Sequence, residues 1–228
     1  MSDPELRVVE DPAAEVAELL VEAGRAGGHM VLTGGSSPRH AYELAAEGDS
    51  DWGAATVWFG DERCVPPDHA DSNYAMAEDA LLSRLSVRPE VIRMEGELGP
   101  EGGASRYDAE VRERLGDEPR WDLLLLGLGP DGHVASLFPG NPELAERSKL
   151  AVGVPTAGME PLLPRISLTL PALNAARAIV FLVTGEGKAD AVARAFGASP
   201  DAGLPAAQVR PRSGSRTVIL DEPAASRL

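Results

Sequence analysis

Five short segments decide what this chain can fold into. The runs at 29–33 (HMVLT), 55–60 (ATVWFG), 121–127 (WDLLLLG), 178–185 (AIVFLVTG) and 217–220 (TVIL) are apolar on successive residues rather than on alternate ones. Strands that read this way are buried on both faces, as in a parallel sheet covered by helices. Helical patterns lie between them. The first, 10–28, has Asp11 as its N-cap, Pro12 at the first helical position and glycines at its end; others cover 37–46, 72–85, 101–115 and 187–196. The alternation predicts an α/β fold: a doubly wound, mainly parallel sheet with helices on both faces, Rossmann-like. No Ser-, Gly- or Pro-rich linker and no internal repeat divides the sequence, so one domain is expected over 1–228. Loops are expected at 60–71, 95–103, 129–148 and 155–164, and the C-terminal DEPAASRL reads as a frayed tail.

Charge and cysteine content narrow the function. A net charge of −15 with no basic stripe argues against nucleic acid, whose binding depends on Lys and Arg neutralising phosphates. The same field repels small anions, so an anionic substrate needs a local cluster of cations or backbone N–H groups. Cys64 is the only cysteine, which rules out an intramolecular disulfide. The acidic N-terminus lacks the apolar core of a signal peptide, and no apolar run approaches a membrane span. The expectation is a cytoplasmic monomer that contacts neither membrane nor nucleic acid.

Ligands of open α/β sheets bind beyond the carboxyl ends of the strands, which selects four stretches: 33–37, 60–63, 127–136 and 184–188. In VLTGGSSPRH, Gly34, Gly35 and Ser36 follow a strand, Ser37 reads as an N-cap and Pro38 opens a helix, a cradle suited to phosphate. No Gly-Lys-Ser/Thr follows, so this is not a nucleotide P-loop, and a tight capped turn would read the same. In WFGDERC, Asp61, Glu62 and Arg63 can orient an oxygen-rich ligand, or form a surface ion pair. Asp68, His69 and Asp71 could suggest a metal, but Asp, Ser and Asn there also serve to cap the following helix.

Gly127, Gly129 and Gly132 spell the dinucleotide fingerprint in LLLLGLGPDGHVASLFPG, yet Pro130 and FPGNP deny it the long helix that it should open. Asp131 and His133 are left on a glycine-rich turn, where a histidine can act as a general base on water, or be satisfied by backbone groups. In VTGEGKA, Lys188 opens a helix, where the dipole disfavours a cation unless an anion pairs with it, Glu186 or a substrate phosphate.

Together and in this order, segments 32–45, 58–77, 123–140 and 165–195 resemble the 6-phosphogluconolactonase family, which is similar in fold to the glucosamine-6-phosphate deaminases and isomerases. Deaminases typically continue the Asp-Gly-His turn with an Asn-Glu-Pro segment, whereas SLFPG here looks like the lactonase form. The resemblance implies hydrolysis of 6-phospho-D-glucono-1,5-lactone in the oxidative pentose phosphate pathway, without metal or cofactor. It makes His133 the general base, with Asp131 and Asp61 orienting imidazole and substrate. Gly34, Gly35 and Ser36 would line the sugar-phosphate site, and Arg63 and Lys188 would bind phosphate or stabilise developing charge. Arg165, at the end of the 155–165 segment, would add to the local positive charge. A deaminase or isomerase with Asp61 as its base, and a non-catalytic sugar-phosphate-binding module, are the alternatives.

Overall fold

The computed structural model describes residues 3–48 and 51–228. In chain order the elements are β1 (Glu5–Val8), α1 (Pro12–Ala26), β2 (Gly28–Leu32), α2 (Ser36–Glu47), β3 (Ala55–Phe59), β4 (Asp61–Arg63), α3 (Asn73–Ala80), β5 (Glu90–Val91) and α4 (Gly99–Leu115). There follow β6 (Leu123–Leu126), β7 (Ala151–Val154), β8 (Arg165–Leu168), α5 (Leu170–Leu173), β9 (Ala178–Val183), α6 (Ala189–Phe196), α7 (Pro205–Gln208), β10 (Ser215–Leu220) and α8 (Glu222–Ala225).

Seven strands form one sheet in the order β1-β10-β9-β6-β2-β3-β5, and every adjacent pair is parallel. The apolar runs are its centre. Leu123 to Leu126, Ile179 to Val183 and Val218 to Leu220 are buried at every successive residue, so both faces are covered. Helix α1 begins where the sequence punctuates it: the Asp11 side chain accepts hydrogen bonds from the N–H groups of Ala13 and Ala14, and Pro12 supplies no donor to waste. Next to β2, the chain moves to β3 on one side, whereas from β6 it moves to β9 on the other. Order reverses between β2 and β6, and a crevice opens beyond their carboxyl ends.

Four expectations need correction. A second, antiparallel sheet, β4-β8-β7, occupies part of the expected 60–71 loop and two segments, 151–154 and 165–168, for which no element was expected. Its strands are three or four residues long and β4 is wholly polar, so no apolar period announced them. Glu5–Val8 adds an edge strand to β10, its side chains mostly exposed and hence without a hydrophobic signature. Helix α2 starts at Ser36 with Gly35 in the N-cap position, so Ser37 is not the cap; its hydroxyl instead shares a 2.6 Å hydrogen bond with Thr184 Oγ1. Finally, the C-terminal tail is not frayed: Asp221 caps α8 by accepting from Ala224 N at 2.8 Å, and Ala224 is fully buried.

Candidate active site

Two buried tyrosines finish the strands that aim the site. Tyr42, from α2, donates its hydroxyl hydrogen to Thr33 O at 2.8 Å and accepts from Thr33 N at 3.0 Å, closing the end of β2 just before Gly34. Tyr107, from α4, does the same for Phe59 at the end of β3, with distances of 3.1 and 2.9 Å, just before Gly60 and Asp61. Peptide groups at a strand end have lost their ladder partners, and leaving one buried and unpaired costs about 1–3 kcal/mol. Burial pushes both phenols above the usual tyrosine range, so they stay neutral and can donate and accept at once.

Beyond these ends lies a cavity of about 240 Å³. Of the eight site residues expected from sequence, Gly34, Gly35, Ser36, Asp61, Arg63, His133 and Lys188 line it. Asp131 does not; it stands behind His133. Its Oδ1 accepts from the His133 ring Nδ1 at 2.6 Å and from the His133 backbone N–H at 3.1 Å. Burial alone would raise the Asp131 carboxyl, but the hydrogen bond and charge of His133 outweigh it and hold the group below the usual aspartate range. A carboxylate only accepts, so the shared proton resides on Nδ1, and in the neutral ring Nε2 keeps a lone pair. The packing requires glycine at 129: a Cβ there would fall 2.0 Å from His133 Nδ1 and 2.6 Å from Asp131 Oδ1. Phe138 backs the imidazole, with ring centroids 4.6 Å apart. Ala135, on the same turn, has φ of +49°, a left-handed conformation costly for a residue with a Cβ.

Asp61 is buried and already engaged. Its Oδ2 accepts from Ser136 Oγ at 2.6 Å and its Oδ1 from Asn73 Nδ2 at 3.2 Å. Glu62 turns away from the cavity. Its two oxygens accept from the N–H groups of Arg63, Asn73 and Tyr74 and from Ser72 Oγ, anchoring the start of α3. Burial pushes the Glu62 carboxyl up despite those four donors. The ligand-orienting role open to Glu62 in the sequence is therefore not the one it has in the fold.

The second sheet supplies two of the cations. Arg63 and Arg165 are register partners across β4 and β8, so both guanidinium groups reach the same wall. Arg63 donates to Asp71 O at 2.6 Å, and Arg165 to Met159 O and Pro161 O at 3.0 Å each. That ties the 155–164 segment over the site. Arg165 lies 5.5 Å from the centroid of Phe138, so one ring supports both this cation and the imidazole. Among the described residues, Nε of each arginine is buried without a hydrogen-bond partner. Burial lowers the Arg165 pKa, Asp61 opposing this and Arg63 adding to it. Burial likewise pulls Lys188 down, opposed by Asp131, and its amine makes no hydrogen bond or ion pair among the described residues.

Sequence reasoning did not reach Ser136 or Asn73. Ser136 sits inside the recognised motif, but only folding brings it to Asp61, 75 residues away. The Asp68, His69 and Asp71 stretch forms a turn in which Asp71 N donates to His69 Nδ1 at 3.1 Å, and Ser72 caps α3. Among the described residues, no helix is long and apolar enough to cross a membrane.

Comparison with known proteins gives the chain's family. The family model described as glucosamine-6-phosphate isomerases/6-phosphogluconolactonase matches residues 5–219. Human 6-phosphogluconolactonase is 41% identical over 220 residues, covering 93% of this chain and 85% of its own. The 6-phosphogluconolactonase structure from Trypanosoma cruzi superposes with a TM-score of 0.86 at 29% identity, covering 100% of this chain and 98% of that one. A monomeric glucosamine-6-phosphate deaminase superposes with a TM-score of 0.81 at 18% identity over the full length of both chains, a likeness of fold. The chain belongs to the glucosamine-6-phosphate isomerase/6-phosphogluconolactonase family.

Proposed function

We propose, from that membership and from the geometry, that this protein is a 6-phosphogluconolactonase. It hydrolyses 6-phospho-D-glucono-1,5-lactone to 6-phosphogluconate in the pentose phosphate pathway. The observation that carries the mechanism is the 2.6 Å bond from His133 Nδ1 to Asp131 on a turn facing cationic walls. His133 Nε2 takes a proton from water as the water oxygen bonds to the lactone carbonyl carbon. The carbonyl π pair moves to oxygen and gives a tetrahedral oxyanion. Collapse breaks the bond from that carbon to the ring oxygen, the imidazolium returns its proton to the departing oxygen, and the new acid ionises to a carboxylate. A positioned general base typically contributes about 10²–10⁴-fold. A lactone is already an activated ester, so no covalent nucleophile is needed.

Arg63, Arg165 and Lys188 divide between the phosphate and the charge that develops at the carbonyl, with Gly34, Gly35 and Ser36 lining the sugar-phosphate end. They set positive charge locally against the −15 of the whole chain. A single copy acting as one domain over the whole chain is part of the proposal. A cytoplasmic setting belongs to the same proposal.

Ring opening by a proton shuttle at Asp61 is the competing chemistry on this scaffold. Ser136 and Asn73 already bond one to each Asp61 oxygen, which disfavours that carboxylate as a mobile base. The deciding experiment offers the protein freshly generated lactone and, separately, glucosamine 6-phosphate. Acid release well above spontaneous opening, with no ammonia from the amino sugar, is expected. Ammonia release with a lactone rate at background would overturn the proposal.

A further inference from the structure

The turn that carries Lys188 is held from outside the cavity. Strands β9 and β10 run parallel with Val183 beside Leu220, so Thr184 and Asp221 leave the sheet side by side. The Gly185 N–H donates to both carboxylate oxygens of Asp221, at 3.0 Å to Oδ1 and 2.9 Å to Oδ2. Gly185 has φ of +91°, a conformation that a residue with a Cβ rarely adopts, and nothing else about its surroundings demands glycine: a Cβ would meet no atom within 4 Å. Gly185 O in turn accepts from Lys188 N at 3.0 Å, and Thr184 Oγ1 is tied to Ser37 on the glycine-serine loop. The backbone is thus pinned on both sides while the Lys188 amine, half-buried, makes no hydrogen bond or ion pair among the described residues and lines the cavity.

Capping α8 needs only one oxygen of Asp221, the Oδ1 that Ala224 N reaches at 2.8 Å. The other oxygen is given wholly to Gly185. We propose that Asp221 is a positioning residue for the substrate anion: it fixes the peptide orientation at Gly185 and thereby places the Lys188 amine. The C-terminal segment is in this sense part of the binding apparatus. The inference rests on the reading of Lys188 as an anion ligand in the proposed lactonase site. A free Gly185 peptide has two broad conformational regions open to it, and a cation on a looser turn loses the preorganisation that makes its contact effective.

Three variants test this, each measured for lactone hydrolysis, for 6-phosphogluconate binding by calorimetry and for thermal unfolding. Asp221→Ala should raise KM and weaken 6-phosphogluconate by about 10-fold, with kcat within about twofold of wild type. Asp221→Asn, which keeps one carbonyl oxygen for Gly185, should fall between, and it carries the test if the alanine variant does not fold. Ala224→Gly destabilises α8 but leaves the Asp221 carboxylate in place, so it should lower Tm with KM unchanged. An unchanged KM in Asp221→Ala, or an equal rise in Ala224→Gly, would overturn the proposal. Should wild type prove inactive on the lactone, the assigned reaction fails, and calorimetry still decides the role of Asp221: weaker 6-phosphogluconate binding in Asp221→Ala supports it, whereas equal binding, or none in wild type, ends it.

Discussion

His29 and His133 are both partly buried, both bonded through Nδ1 and both packed against an aromatic ring, yet they are chemically opposite. His29, early in β2, accepts at Nδ1 from the indole N–H of Trp58 at 3.1 Å, with ring centroids 6.0 Å apart. An indole only donates, so a neutral His29 carries its proton on Nε2. His133, on the turn after β6, meets a carboxylate that only accepts, so a neutral His133 carries its proton on Nδ1 and keeps the lone pair on Nε2, the ring lining the cavity. The partner decides which ring nitrogen of a neutral imidazole keeps its lone pair. The surroundings differ too: Trp58 also meets Trp121 edge-on, ring centroids 5.4 Å apart, in a buried cluster, while His133 shares its turn with strained Ala135.

The largest expected effect comes from removing each ring in turn. His133→Ala should lower kcat by about 10²–10⁴-fold, while His29→Ala should leave kcat within about twofold and cost about 1 kcal/mol of stability through the Trp58 bond. Initial rates and thermal unfolding on both variants check this. Equal losses of activity would dissolve the distinction.

A subtler change should make His133 resemble His29. Asp131→Asn can present an amide N–H to Nδ1, which moves the ring proton to Nε2 and blocks the base; kcat should fall by about 10²-fold with the fold retained. The same variant has a signature in stability. The folded Asp131 carboxyl lies below its unfolded value, so its contribution is present above the unfolded pKa and lost as pH falls through the folded one. Denaturant unfolding across the acid range should show that slope in wild type and a shallower one in Asp131→Asn.

The smallest effect concerns Lys188. Burial lowers its pKa, so it should lose charge, and with it affinity for 6-phosphogluconate, at a lower pH than the usual lysine value of about 10.4. Calorimetry from about pH 7 to 10 should show weakening on the alkaline side in wild type and a flatter profile in Lys188→Arg, because a guanidinium stays charged throughout. Parallel profiles would mean that another cation holds the phosphate.

The sheet was legible because a doubly buried strand must be apolar at every residue, and 123–126 and 178–183 are. The glycine-rich ends of such strands exposed Gly34, Gly35, Ser36, Asp131 and His133 in the same way, since glycine and polar residues directly after a buried strand mark the place where the backbone turns and meets a ligand. Arg63 and Lys188 were legible by their place at strand or helix ends, and through the family resemblance. What was hidden has a common cause. The strands of the second sheet are too short for a period to register, and β4 is wholly polar as well. Ser136 meets Asp61 across 75 residues, and Asp221 meets Gly185 across 36.

By itself, then, the sequence determined the parallel sheet, the location of the crevice and the histidine turn, because burial period and turn chemistry are properties of adjacent residues. Only the tertiary structure decided that Asp131 stands behind the imidazole rather than in the cavity, that Glu62 turns away from the cavity, and that Arg63 and Arg165 share one wall. These are matters of which side a residue faces and what stands opposite. They arise from pairing between distant segments, which no local pattern encodes.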